Sequence, residues 1–192
     1  MNNYEYIIAS LPQISRDTKS EIDFDDIKEQ IHSQLSEKDL ALCRILENGF
    51  IPENLDRDFY VGALENRNVF IREYFRYDLL LRNCKVRFIN SELGRPLDQD
   101  VLDIAGWEES DDRPEIQRVF SGNDLLERER ALDNLVWKKS DNIALTHIFD
   151  IVVVLSFLAK LNIVQRWMTL DADSGKAMFR RLIDELKESY TI

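Results

Sequence analysis

Between Asn66 and Leu93 the residues Phe70, Tyr74, Tyr77, Leu81, Cys84 and Phe88 recur at spacings of 4, 3, 4, 3 and 4. Side chains so spaced share one face of an α-helix, whereas on a strand they would scatter over both faces. About three heptads of this seam predict one long helix, ended by Gly94 and Pro96. Ile71, Phe75 and Ile89 form a second apolar strip beside the first. A helix that is apolar on more than one side must lie between neighbours. At about 100° per residue, Arg72, Arg76 and Arg87 fall within about 60° of one another and roughly opposite the seam.

The same period recurs elsewhere. Phe24, Ile27, Ile31 and Leu35 predict an amphipathic helix, with Asp25, Asp26, Lys28 and Glu29 facing away. Ser36 is a good N-cap for a helix carrying Leu40, Cys43 and Leu46, and Gly49 reads as its C′ residue, followed by Pro52. Further helices are expected over Asp124 to Trp137, over Asn142 to about Met168, and from Asp173 with Phe179, Leu182, Ile183, Leu186 and Tyr190 on the apolar side. In the last of these, Arg180 with Asp184 and Arg181 with Glu185 are i,i+4 pairs. The apolar triplet Val152 to Val154 takes the helical period of its flanks.

The expected fold is all-α, with packed helical bundles. It reads as one helical domain, or as two subdomains in which residues 1–93 and 130–192 flank an acidic connecting segment, 94–129. The composition shifts sharply here: residues 92–129 hold twelve acids and four bases, a net of −8, whereas residues 66–90 carry +4. Gly94, Pro96, Gly106, Pro114 and Gly122 break this stretch into short helical turns and loops, with Trp107 and Phe120 pinning it to the core.

Charge and hydropathy exclude several classes. The net charge of −11 over 192 residues argues against nucleic acid, because counterion release requires a positive surface. A mean hydropathy of −0.34 argues against an integral membrane protein. The most apolar run, Ile151 to Ala159, covers about half of a membrane span. The first ten residues lack a basic n-region and a long apolar h-region, so a cytoplasmic location is expected. Cys43 and Cys84 stand apart on apolar positions and read as buried, reduced thiols.

Catalytic patterns are scarce. Gly175-Lys176 lacks the upstream glycine and the hydroxyl residue of a phosphate-binding loop. Asp171-Ala-Asp173 opens like a calcium loop, but Lys176 and Leu182 stand where glycine and a bidentate acid are required, so Asp173 reads as a helix cap. Glu108, Glu109, Asp111 and Asp112 read as solvated surface. His147 precedes Asp150 by three residues on an expected helix, a spacing that suits a local pair and leaves open an acid/base pair. No cofactor, no metal and no catalytic residue are expected.

Two features suit a protein partner. The arginine stripe of Arg72, Arg76 and Arg87 could meet carboxylates bidentately, or pair internally with the acidic segment. Arg166 and Trp167 close an apolar helix with two residue types common at interfaces, or else fold into the helix end.

Tyr4-x-Tyr6-Ile7-Ile8-Ala9-Ser10-Leu11-Pro12, Tyr74-Phe75-Arg76-Tyr77-Asp78-Leu79-Leu80-Leu81-Arg82-Asn83 and Leu155-Ser156-Phe157-Leu158-Ala159-Lys160-Leu161-Asn162-Ile163-x-x-Arg166-Trp167 cover three separated regions. Together they resemble a family of bacterial proteins encoded among the subunits of V-type (A/V-type) ATPases and similar to the C subunit, called d in eukaryotes. The resemblance implies all-α bundles and a non-catalytic coupler in ion transport, seating the central rotor stalk on the membrane ring. Its partners would be other ATPase subunits, and its place the inner face of the plasma membrane, peripheral through those partners. The chain is shorter than a typical C subunit, which is built as three similar helical bundles. The alternatives are a free-standing helical adaptor or regulator, and a small all-α enzyme using His147 and Asp150.

Overall fold

The computed structural model describes residues 4–16, 18, 22–104, 111–122 and 124–169. Trp107, Glu108, Glu109 and the helix expected from Asp173, with its i,i+4 pairs, lie outside the described residues. Within them the chain is all-α: α1 (Tyr4–Ser10), α2 (Phe24–Gln34), α3 (Glu37–Asn48), a 3-10 turn at Pro52–Asn54, α4 (Arg57–Leu64), α5 (Val69–Glu92), α6 (Arg113–Phe120), α7 (Leu125–Ala144) and α8 (Ile151–Thr169).

Side-chain caps set most helix starts. Asp23, Ser36, Asp56, Asn68 and Asp124 each accept a backbone N–H from the first turn that follows. α5 is the expected long helix, and it packs against α3, α4, α6, α7 and α8. Phe70, Ile71 and Phe75 are wholly buried, as are Leu79 and Leu80 to within 2%. Both apolar strips are therefore used, except that Ile89 stays exposed.

At the far end of α5 the chain reverses through a left-handed Gly94 (φ 64°). Gly94 N–H donates to the Ser91 carbonyl and Arg95 N–H to that of Asn90, a Schellman closure. Two buried amides then hold the returning strand of chain on α5. Asn83 exchanges two 3.0 Å hydrogen bonds with the Leu102 backbone, and Asn90 Nδ2 donates to the carbonyls of Leu97 and Gln99. Phe120 is buried and stacks on Phe88 with centroids 5.2 Å apart, which fixes α6 as expected.

The structure corrects several expectations. α1 and α4 had not been read as helices. α7 runs seven residues past Trp137, and the helix expected from Asn142 begins at Ile151, so residues 145–150 form a corner between α7 and α8. Gly49 is not left-handed, since its φ is −73°. Space explains it instead: a Cβ there would lie 2.3 Å from the Phe75 ring, which Phe59 already meets edge-on. Finally, α8 is a continuous 19-residue helix, long and apolar enough by length and composition to cross a membrane. Its Val154, Leu155, Leu158, Ala159 and Leu161 are buried in the bundle core. Cys43 and Cys84 are buried free thiols, and burial pushes the Cys43 thiol up to about 12.

Two glycines separate the two kinds of constraint. Gly49→Ala should cost about 1–3 kcal/mol through overpacking against Phe75, and Gly94→Ala about 1–2 kcal/mol through backbone strain alone. Denaturant unfolding measures both. A Gly49→Ala protein as stable as wild type would contradict the close approach.

Candidate functional site

A cavity of about 270 Å³ opens among α4, α5, α7 and α8, lined by polar side chains from all four. Tyr60 on α4 donates its hydroxyl to Asp78 Oδ2 on α5 at 2.6 Å. Lys85 on α5 donates to Glu129 on α7 at 2.7 Å. Asp133 on α7 accepts from the Arg166 guanidinium and, at 2.6 Å, from Trp167 Nε1, both on α8. These contacts join α4 to α5, α5 to α7 and α7 to α8, so the polar groups form a chain of clasps from α4 through to α8.

Burial raises the Asp78 carboxyl above the usual carboxylate range, and the Tyr60 hydroxyl and Arg82 oppose this. Asp133 is also raised by burial, against the pull of Arg166 and Trp167. Arg82 donates to the Leu55 carbonyl at 3.3 Å, while its buried Nε has no partner. The site's acids are thus engaged with neighbouring helices.

The sequence-derived residues fall in different places. Arg76 donates to both oxygens of Glu73 at 2.9 and 3.0 Å, and Arg72 meets the same carboxylate at 3.3 Å. Arg72 also donates to the Asn66 carbonyl. Arg87 reaches Asp98, at the start of the acidic segment, with Nε 2.8 Å from Oδ1. The stripe therefore lies on one helix, with its charge answered by Glu73 and Asp98. Arg166 and Trp167, on α8, clasp Asp133 of α7, and Arg130 lies over the Trp167 ring at 4.5 Å.

His147 and Asp150 meet at 2.5 Å, but in the α7–α8 corner rather than on a helix. Asp150 also accepts the Val152 N–H, which makes it a cap for α8. Of the acidic loop residues, Asp112 pairs with Lys139 at 2.8 Å, and no group of acids, histidines or cysteines able to hold a metal occurs among the described residues.

The same corner carries a feature that the sequence reading missed. Leu145, Ile148 and Phe149 are 79%, 70% and 55% exposed. An Ile-Phe pair set just before a capping Asp is the signal in the sequence, masked by the apolar pattern that runs on through residues 142–168.

The family model described as "Protein of unknown function (DUF2764)" matches residues 1–57 and 107–190. These two stretches flank most of α4 and all of α5. No curated protein and no solved structure matches the chain.

Because burial raises Asp78, its stabilising contribution is full below about pH 4, the unfolded value, and is lost as pH rises through the folded one. Asp78→Asn keeps an oxygen for the Tyr60 hydroxyl and removes that loss. The Tm advantage of Asp78→Asn over wild type should grow from near zero at about pH 4 toward neutrality. An advantage that shrinks over this range would contradict the burial argument.

Proposed function

This chain belongs to the DUF2764 family, and we propose that it is a non-catalytic coupling subunit of a V-type (A/V-type) rotary ATPase, C/d-like, that joins the central stalk to the membrane ring. In that role it would sit on the cytoplasmic side of the membrane, held there by protein partners.

The observation that carries a protein-binding role is the α7–α8 corner. Leu145, Ile148 and Phe149 present three large apolar side chains to water within five residues. Grouped apolar exposure of this kind is characteristic of interaction sites. The corner joins two long helices, with Lys160 paired to Asp141 at 2.7 Å and Ser156 bonded to the Ser140 carbonyl. A preorganised tip loses little entropy on docking. The assignment to a rotary ATPase rests on the resemblance carried by the Tyr4, Tyr74 and Leu155 motifs. A free-standing adaptor would use the same corner with unrelated partners. Under either role Asp150 caps α8 and His147 is a local partner of that cap.

The test is binding of the purified chain to purified central-stalk subunits. Ile148→Ser with Phe149→Ser should weaken association by about 2 kcal/mol or more, as loss of apolar anchors does, while Tm changes little because both side chains already face water. His147→Ala should leave binding intact. No binding by the wild-type chain would reject the ATPase assignment. Unchanged binding by the double variant would reject the corner as the docking point.

A further inference from the structure

A groove of about 830 Å³, open to solvent, lies between α2 and the end of α3, with Asn162 of α8 also on its wall. Asp25 and Glu29, one turn apart on α2, and Glu47 on α3 supply its carboxylates. Phe50 and Ile51 supply the apolar part, and Ile51 is 48% exposed. Its one lysine, Lys28, is already committed to Gln165 of α8 at 3.1 Å. His32 Nε2 lies 3.2 Å from Glu47 Oε1.

We propose that this groove seats a basic amphipathic helix of a partner protein. Charge chooses the sign of the occupant: Asp25 and Glu29 are exposed acids, Glu47 lies against His32, and the one lysine is held elsewhere. Shape and polarity choose its form. Two turns of a helix about 10 Å across, at about 5.4 Å per turn, occupy roughly the volume of the groove, about 830 Å³. Docking of that kind places apolar anchors at i, i+3 or i+4 in the groove. Here Phe50 and Ile51 receive the anchors, while lysines or arginines on the flanks of the incoming helix reach the exposed Asp25 and Glu29. The occupant is defined by this chemistry alone, and the inference stands whether or not the partner is an ATPase subunit. All of the groove's α2 and α3 residues fall in the first stretch matched by the family model.

The probe is a fluorescent Lys/Leu amphipathic peptide of about 18 residues, long enough to fold as a helix on a surface, titrated against the full chain. Three comparisons accompany it: a scrambled peptide of the same composition, a Glu/Leu peptide of the same pattern, and matched protein variants. The amphipathic basic peptide should bind, with affinity falling as salt rises. Glu29→Lys with Ile51→Glu should weaken it about tenfold or more. Glu65→Lys, an exposed reversal at the end of α4, should leave affinity within about twofold. The groove variants change exposed side chains only, and an unchanged Tm verifies that they fold.

Absence of binding by the basic peptide would overturn the proposal. So would equal binding of the scrambled peptide, which would mean general attraction to a chain of net charge −11. Binding that ignores the groove variants, or a Glu65→Lys effect as large as theirs, would overturn it as well.

Discussion

The burial of α5 on several sides is the constraint from which the rest of the architecture follows. Phe70, Ile71, Tyr74, Phe75, Tyr77, Leu79 and Leu80 point in different directions around the helix, and all are nearly or wholly buried. Each such side chain contributes about 1.5–3 kcal/mol when withdrawn from water, so no arrangement that leaves one side of α5 bare is competitive. Helices α3, α4, α6, α7 and α8 accordingly gather around it. Gly49 exists in its present form because Phe75 needs the space a methyl would occupy.

Polar groups inside this assembly are used for cohesion. A buried carboxylate is costly unless partners satisfy it. Arg166 and Trp167 offset part of that cost at Asp133, and Tyr60 offsets part of it at Asp78. Asn83 and Asn90 do the same for backbone groups of the returning segment, which would otherwise lack a place on the bundle. The apolar α7–α8 corner and the acidic groove beside α2 and α3 are two exposed surfaces of different chemistry among the described residues.

Much of the fold was legible because α5, α2 and α3 announce themselves by period and by caps. The Gly94 stop, the buried cysteines and the anchoring of Phe120 were readable for the same reason. Other elements were hidden by short length or by tertiary contact. α4 offers only Tyr60 and Ala63 as fully buried positions, too few for a periodic signal. The α7–α8 break was masked because residues 142 to 168 sustain an apolar pattern, and only the Asp150 cap marks the new start. Arg166 and Trp167 were visible as an unusual pair, but their partner Asp133 lies 33 and 34 residues earlier, which no local pattern reveals. Arg72, Arg76 and Arg87 share α5, whereas their counter-charges, Glu73 and Asp98, depend on a neighbouring residue and on a returning loop.

Native-state hydrogen exchange on the full chain tests the organisation around α5 most directly. Amides from Phe70 to Asn83 should exchange only through global unfolding, with free energies equal to the overall stability, while those of residues 145–148 exchange through local opening. Sub-global opening of α5 at lower free energy than α7 or α8 would contradict a bundle held together by that helix.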